Sequence, residues 1–251
     1  MTLSSSAVAA AHGTSQRYIR SKVLDKAIPK LRGRFARLAN SDGAFPIFSP
    51  SVHDMVWNTV PKLSERQAAV LVPLVSYNGA PSLLFTTRSS KLRSHASEVS
   101  FPGGHFHEGV DSCLEDTALR ECQEELLGDY PWHDIEIIGR ATAVPSLGGI
   151  PVTPIIGVLP YEITDCTFPG NADEVVDIFC VELTELLAIE MMERPPAVSR
   201  FKTMIPSFPT AAGQRIWGLT AVVTKPLLHK LFKPVFLGED IINSSMAKPK
   251  L

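Results

Sequence analysis

The chain predicts an α/β fold, a mixed β-sheet held between helical layers, and three features carry that expectation. Apolar runs with buried-strand character recur at 68–75 (A-A-V-L-V-P-L-V), 83–88 (L-L-F-T-T-R) and 152–159 (V-T-P-I-I-G-V-L). Between the second and third lies an amphipathic stretch, 112–128, with helical spacing. A basic helical stretch precedes the strands, within residues 16–39. Strand, helix and strand in that order, with helical segments on either side, pack as a sheet between two helical layers.

Length and composition agree with this. The 251 residues, 45% of them hydrophobic, suffice for one generous domain or a domain with extensions. A net charge of −2 argues against a nucleic-acid-binding protein that relies on a broad basic surface. Cys113, Cys122, Cys166 and Cys180 form no C-x-x-C pair, so neither zinc ligation nor a disulfide framework is expected. A reducing, intracellular compartment follows from that cysteine usage. No apolar run approaches the roughly 18 residues of a membrane span.

Taken in order, residues 1–40 are expected to form a basic N-terminal extension. Residues 1–24 contain no acid and carry Arg17, Arg20 and Lys22. That composition suits a mitochondrial transit peptide, and equally a disordered tail leading into a basic helix. The helix of residues 16–39 is expected to break at Pro29. Residues 41–66, with Pro46, Pro50 and Pro61 and no clear period, are expected to be a linker wrapped on the domain. The main domain then spans 67–235, its first strands joined by a turn at Tyr77–Ser82. A tail follows over 236–251; its end, Pro249-Lys250-Leu251, is a weak match to a peroxisomal address.

The densest stretch runs from Ser97 to Gly128. A strand-like run (Glu98 to Phe101) meets a Pro-Gly-Gly turn, then a polar loop, then a helix. Ser112 and Glu115 have the spacing of a capping box, and Gly128 supplies the stop. Leu119, Cys122 and Leu126 share one face; Glu121, Glu124 and Glu125 cluster on the other. Crowded carboxylates repel, by a few tenths of a kcal/mol per pair. Two readings fit: a solvated acidic face with Arg120 as counter-charge, or a seat for a hard divalent cation that shares its oxygens with a phosphorylated substrate. Arg88 and Arg93 follow the second strand. They suit either surface charges or forked, charge-assisted grips on phosphate. His95, His105 and His107 read as polar loop residues.

The order R-E-x-x-E-E behind a Pro-Gly-Gly turn resembles the Nudix hydrolase box, with Gly104, Arg120, Glu121, Glu124 and Glu125 at matching positions and Cys122 at an apolar one. Three departures stand out. The loop from Gly104 to Arg120 is longer than the family's, Ser112 replaces a glutamate with Asp111 as the nearest substitute, and Leu127 occupies the closing glycine position ahead of Gly128. Residues 83–104 (L-L-F-T-T-R-S-S-K-L-R-S-H-A-S-E-V-S-F-P-G-G) further resemble the motif of the coenzyme A diphosphatase branch, through Leu84, Thr86, Arg88, Ser89, Arg93, Val99 and Phe101 to Gly104. The V-T-P run at 152–154, N-A-D-E-V-V-D-I-F-C-V-E-L at 171–183 and I-W-G-L-T at 216–220 are similar to later segments of that branch, in the same order. Trp217 in the last of these suits core packing or ligand stacking.

The resemblance implies a Nudix α/β/α sandwich and hydrolysis of a phosphoanhydride bond. Mg²⁺ or Mn²⁺ would be held by Glu121, Glu124 and Glu125, with Glu121 or Glu174 as the base for water and Arg120 orienting the glutamates. Gly103 and Gly104, with Arg88 and Arg93, would face the substrate, coenzyme A or acyl-coenzyme A, giving 3′,5′-ADP and 4′-phosphopantetheine or its acyl form. Another nucleoside diphosphate derivative, such as ADP-ribose or a dinucleotide, is the alternative within enzymes. A non-catalytic Nudix-shaped binding module is the alternative outside them. The expected partner is a small molecule, with neither nucleic acid nor membrane.

Overall fold

The computed structural model describes residues 18–60, 62–91, 97–165, 167–194 and 204–238. Arg93, His95, Cys166, the first seventeen residues of the acid-free segment and the terminal Pro249-Lys250-Leu251 lie outside the described residues.

Helix α1 (Lys22–Leu38) buries Leu24, Ala27, Ile28, Leu31 and Phe35 on one face, and that packing carries it through Pro29 without the expected break. The proline ring points to solvent. The stretch expected to be a linker holds a second helix, α2 (Pro50–Asn58), and buries Phe45 and Val56. Pro50 sits at the first turn of α2, where a missing N–H costs nothing, so here proline starts a helix.

The main sheet follows. Strand β1 (Ala68–Tyr77) turns through Asn78-Gly79, both at positive φ, into β2 (Ala80–Arg88). This is a two-residue hairpin, so Pro81 and Ser82 belong to the strand instead of the expected turn. Short strands β3 (Val99–Ser100) and β4 (Gly103–His105) lead to α3 (Leu114–Leu126). Then come β5 (Glu136–Arg140), β6 (Val144–Pro145), β7 (Pro151–Ile163) and β8 (Val175–Glu182). Helix α4 (Leu183–Ile189) leads to a small separate sheet of β9 (Met191–Glu193), β10 (Ile205–Pro209) and β11 (Arg215–Ile216). Helix α5 (Gly218–Leu227) continues through a wide turn at 228–232 into α6 (Lys233–Phe236).

The sheet is mixed, in the order β3-β2-β1-β7-β5. Strand β1 runs parallel to β7 and antiparallel to β2, β4 pairs with β1, and β8 with β2. Alternation along the central strands sends side chains into two cores. Leu71, Leu84 and Ile155 meet Ala118, Cys122 and Leu126 of α3 on one face. Val72, Leu83, Phe85 and Ile156 meet α1 and α5 on the other. No helix among the described residues is long and apolar enough to cross a membrane.

Candidate active site

Helix α3 turns its carboxylates toward the place where β2, β3 and β4 come together. Its start differs from the sequence expectation. Cys113 is the N-cap and makes no side-chain cap; in place of the Ser112–Glu115 box, Asp116 Oδ2 accepts from the Ser112 N–H at 3.0 Å. The first turn is secured instead by Asp111, buried beneath it. That carboxylate accepts from Arg120 Nε at 2.8 Å and Nη2 at 2.9 Å, from Thr117 Oγ1 at 2.9 Å and from the His107 N–H at 2.9 Å. The Arg120 hydrogen bonds hold Asp111 far below the usual carboxylate range, against the opposing effect of burial.

Fixed by Asp111, Arg120 donates from Nη1 to Glu121 Oε1 at 2.9 Å and to Glu124 Oε2 at 3.2 Å, and from Nη2 to the His105 carbonyl at 3.1 Å. The three glutamates occupy three environments. Glu124 is half exposed, Glu121 mostly buried, and Glu125 almost wholly buried, with side-chain exposures of 52%, 14% and 3%. Glu121 lies flat against β4: a Cβ on Gly104 would come within 2.4 Å of its carboxylate, so only glycine leaves it room. A Cβ on Gly103 would meet the Ala69 carbonyl at 2.3 Å. The two glycines expected in a turn instead open β4, and they serve close packing around the carboxylates.

Glu125 reaches toward β2. Its closest polar neighbours are the Gly103 N–H and Thr86 Oγ1, both at a long 3.5 Å, and Arg88 Nη1 at 3.9 Å. Burial pushes its pKa up to about 8, partly countered by Arg88 and the Gly103 N–H and reinforced by Glu174 and Glu121. Glu174 precedes β8, and its placement has a mechanical cause. The last carbonyls of α3 are capped from that loop: Asn171 N–H donates to Glu125 O at 2.8 Å and Gly170 N–H to Leu126 O at 2.9 Å. Asn171 Nδ2 then donates to Glu174 Oε1 at 3.3 Å, and the Ser89 N–H to the Glu174 carbonyl at 2.7 Å. Burial, with the charges of Glu121 and Glu124, raises the Glu174 pKa, and Arg88 opposes it. Glu121, Glu124, Glu125, Glu174, Arg88, Arg120, Gly103 and Gly104 are thus gathered in one place.

Two contributions had little sequence signal. Thr86 matches the coenzyme A branch motif and shares a strand face with Leu84, but nothing in the sequence signals its contact with Glu125. Asp111 shows as no more than the nearest acid to an unmatched position. Trp217 stands elsewhere, half-buried in a separate cavity with Arg215 and Arg194.

Residues 65–201 match the family described as NUDIX domain. The chain belongs to the Nudix family. Two curated relatives, both named "Uncharacterized Nudix hydrolase NudL", come from Photorhabdus laumondii and Yersinia enterocolitica. They are 36% and 35% identical to this Nudix chain over 68% and 67% of it, and over 86% and 83% of their own length. A solved structure of a MutT/nudix family protein from Enterococcus faecalis aligns with a TM-score of 0.41 at 16% identity, over 84% of this chain and 86% of that one.

Nudix hydrolases generally use divalent metal ions. The donor chemistry fits: hard carboxylate oxygens, one of them buried with its charge under-compensated. Among the described residues, no three acidic, histidine or cysteine side chains already form an ion cage. Arg120 Nη1 instead bonds both Glu121 and Glu124.

Proposed function

We propose that this Nudix hydrolase cleaves the diphosphate of coenzyme A and its acyl derivatives, releasing 3′,5′-ADP and the phosphopantetheine portion. One observation carries the reading. The described parts of the segment 83–104, which resembles the coenzyme A branch, lie in β2, β3 and the start of β4 and face Glu121 and Glu125. Mg²⁺ or Mn²⁺ held by Glu121, Glu124 and Glu125 would supply charge neutralisation at the diphosphate and a more acidic water. Arg88, 3.9 Å from Glu125, would grip the diphosphate oxygens. Arg93 is then the candidate for the 3′-phosphate. Glu174 takes the proton of the attacking water in this scheme, because Arg120 engages Glu121, while among the described residues the Glu174 carboxylate accepts from Asn171 alone and has a raised proton affinity.

The test is mass spectrometry of products from coenzyme A, ADP-ribose and a dinucleotide, with and without Mg²⁺. Metal-dependent appearance of 3′,5′-ADP supports the proposal. Turnover of ADP-ribose or the dinucleotide alone transfers the activity to another nucleoside diphosphate derivative. No turnover of any of them favours a binding module.

A further inference from the structure

The outward flank of α1, away from the active site, carries a stripe of exposed cations. Lys22, Lys26, Lys30 and Arg37 are all exposed, and at about 100° per residue they fall within an arc of roughly 80°. The stripe runs about 22 Å along the helix at its usual rise. Of the described acids beside the helix, Asp25 pairs with Arg20, and Glu136 with Arg20 and Arg32. Among the described residues none of the four stripe cations has an acidic partner. Exposed Lys230 widens the stripe, since Arg34 Nε donates to its carbonyl. Two large apolar side chains, Ile19 at 69% and Val23 at 40% exposure, border its N-terminal end.

We propose that this flank docks the protein peripherally on an anionic lipid bilayer. In a chain of net charge −2 such segregation is a field of one sign on one face, which an anionic leaflet attracts. The flank is a convex ridge without an aromatic side chain, so it offers single-stranded nucleic acid no stacking platform. Ile19 and Val23 instead suit shallow insertion between headgroups. The absence of a membrane-spanning helix, on which the sequence expectation of no membrane partner rests, does not bear on such a surface. Helix α1 packs on one face of the sheet and α3 on the other, so docking leaves the carboxylate site turned to solvent. The proposal is independent of which diphosphate is hydrolysed.

The test is cosedimentation of the full chain with phosphatidylcholine vesicles, with and without phosphatidylserine. Binding is expected only with phosphatidylserine and is expected to weaken as salt rises. The Lys26→Glu/Lys30→Glu/Arg37→Glu variant is expected to lose at least about tenfold in affinity, with circular dichroism and bulk hydrolysis unchanged. Should charge reversal impair folding, Lys26→Gln/Lys30→Gln is expected to lose several-fold. Ile19→Ser/Val23→Ser is expected to weaken binding at unchanged charge. Equal binding to both vesicle types, undiminished binding of the charge variants, or retention by duplex DNA without vesicle binding would each overturn it.

Discussion

Glu125 is the residue where burial and charge are most at odds. Its pKa is raised from the ordinary 4.5 to about 8 by desolvation, with one cation 3.9 Å away. The sign follows from linkage: the folded state binds more protons than the unfolded one between those values. Its contribution to stability is complete below about pH 4.5 and lost as pH climbs through about 8. Thermal melts in chelator should therefore fall over that range, by on the order of a few kcal/mol. Glu125→Gln should flatten the dependence, and added Mg²⁺ should restore alkaline stability only in the parent chain. The same substitution should cost at least about a hundredfold in kcat while circular dichroism stays unchanged. Undiminished turnover at saturating Mg²⁺ would remove Glu125 from the metal site. At the arginines, Arg93→Ala should hurt coenzyme A on the order of ten- to a hundredfold more than dephospho-coenzyme A, whereas Arg88→Ala should hurt both alike. Competition assays that reverse this pattern would exchange the two roles.

The end of α3 explains a departure at the level of the element. Leu127, standing at the family's closing glycine position, has φ 56 and ψ −171, a region nearly reserved for glycine, and Gly128 follows at φ 93. The chain accepts this because Gly170 and Asn171 bind the last carbonyls of α3, which locks the helix end to the loop that carries Glu174. Strain of about 1–3 kcal/mol in a side chain 40% exposed outweighs the roughly 1 kcal/mol of extra entropy that a glycine loses on folding. Leu127→Gly should accordingly melt no lower than the parent chain, while Leu127→Ala, which keeps the strain, should bring no gain. A melting temperature several degrees lower for the glycine variant would mean that Leu127 packing dominates.

Across the whole molecule, the basic helix and the stretch expected to be a linker are structural parts of the fold. Leu24 and Leu31 are completely buried and belong to the same core as Val72 and Leu83 of the sheet, and Phe45 joins them. Leu31→Ala should cost about 2–5 kcal/mol, the range for a buried leucine truncated in a core that cannot collapse. Denaturant titration reads this directly, and a loss below about 1 kcal/mol would show that α1 is only loosely attached. Such a loss should leave kcat intact under native conditions, because α1 lies across the sheet from α3.

Local chemistry was legible in the chain by itself. The strand runs, the two faces of α3 and the R-E-x-x-E-E order all depend on period and neighbour spacing, and these survive into the fold as read. What failed was local in its reasoning but decided by distant contacts. Pro29 does not break α1 because the sheet holds both sides of it, and the stretch expected to be a linker is tied to the domain through the buried Phe45, which bridges to Ala141. The capping box yielded to a buried Asp111 whose value comes from Arg120, nine positions away. The carboxylates illustrate the same division. Their identities and spacing are sequence properties, but their environments are not. Only tertiary packing buries Glu125, exposes Glu124, presses Glu121 against Gly104 and brings Glu174 in from a distant loop, because dielectric and proximity belong to the folded surroundings and not to the order of residues.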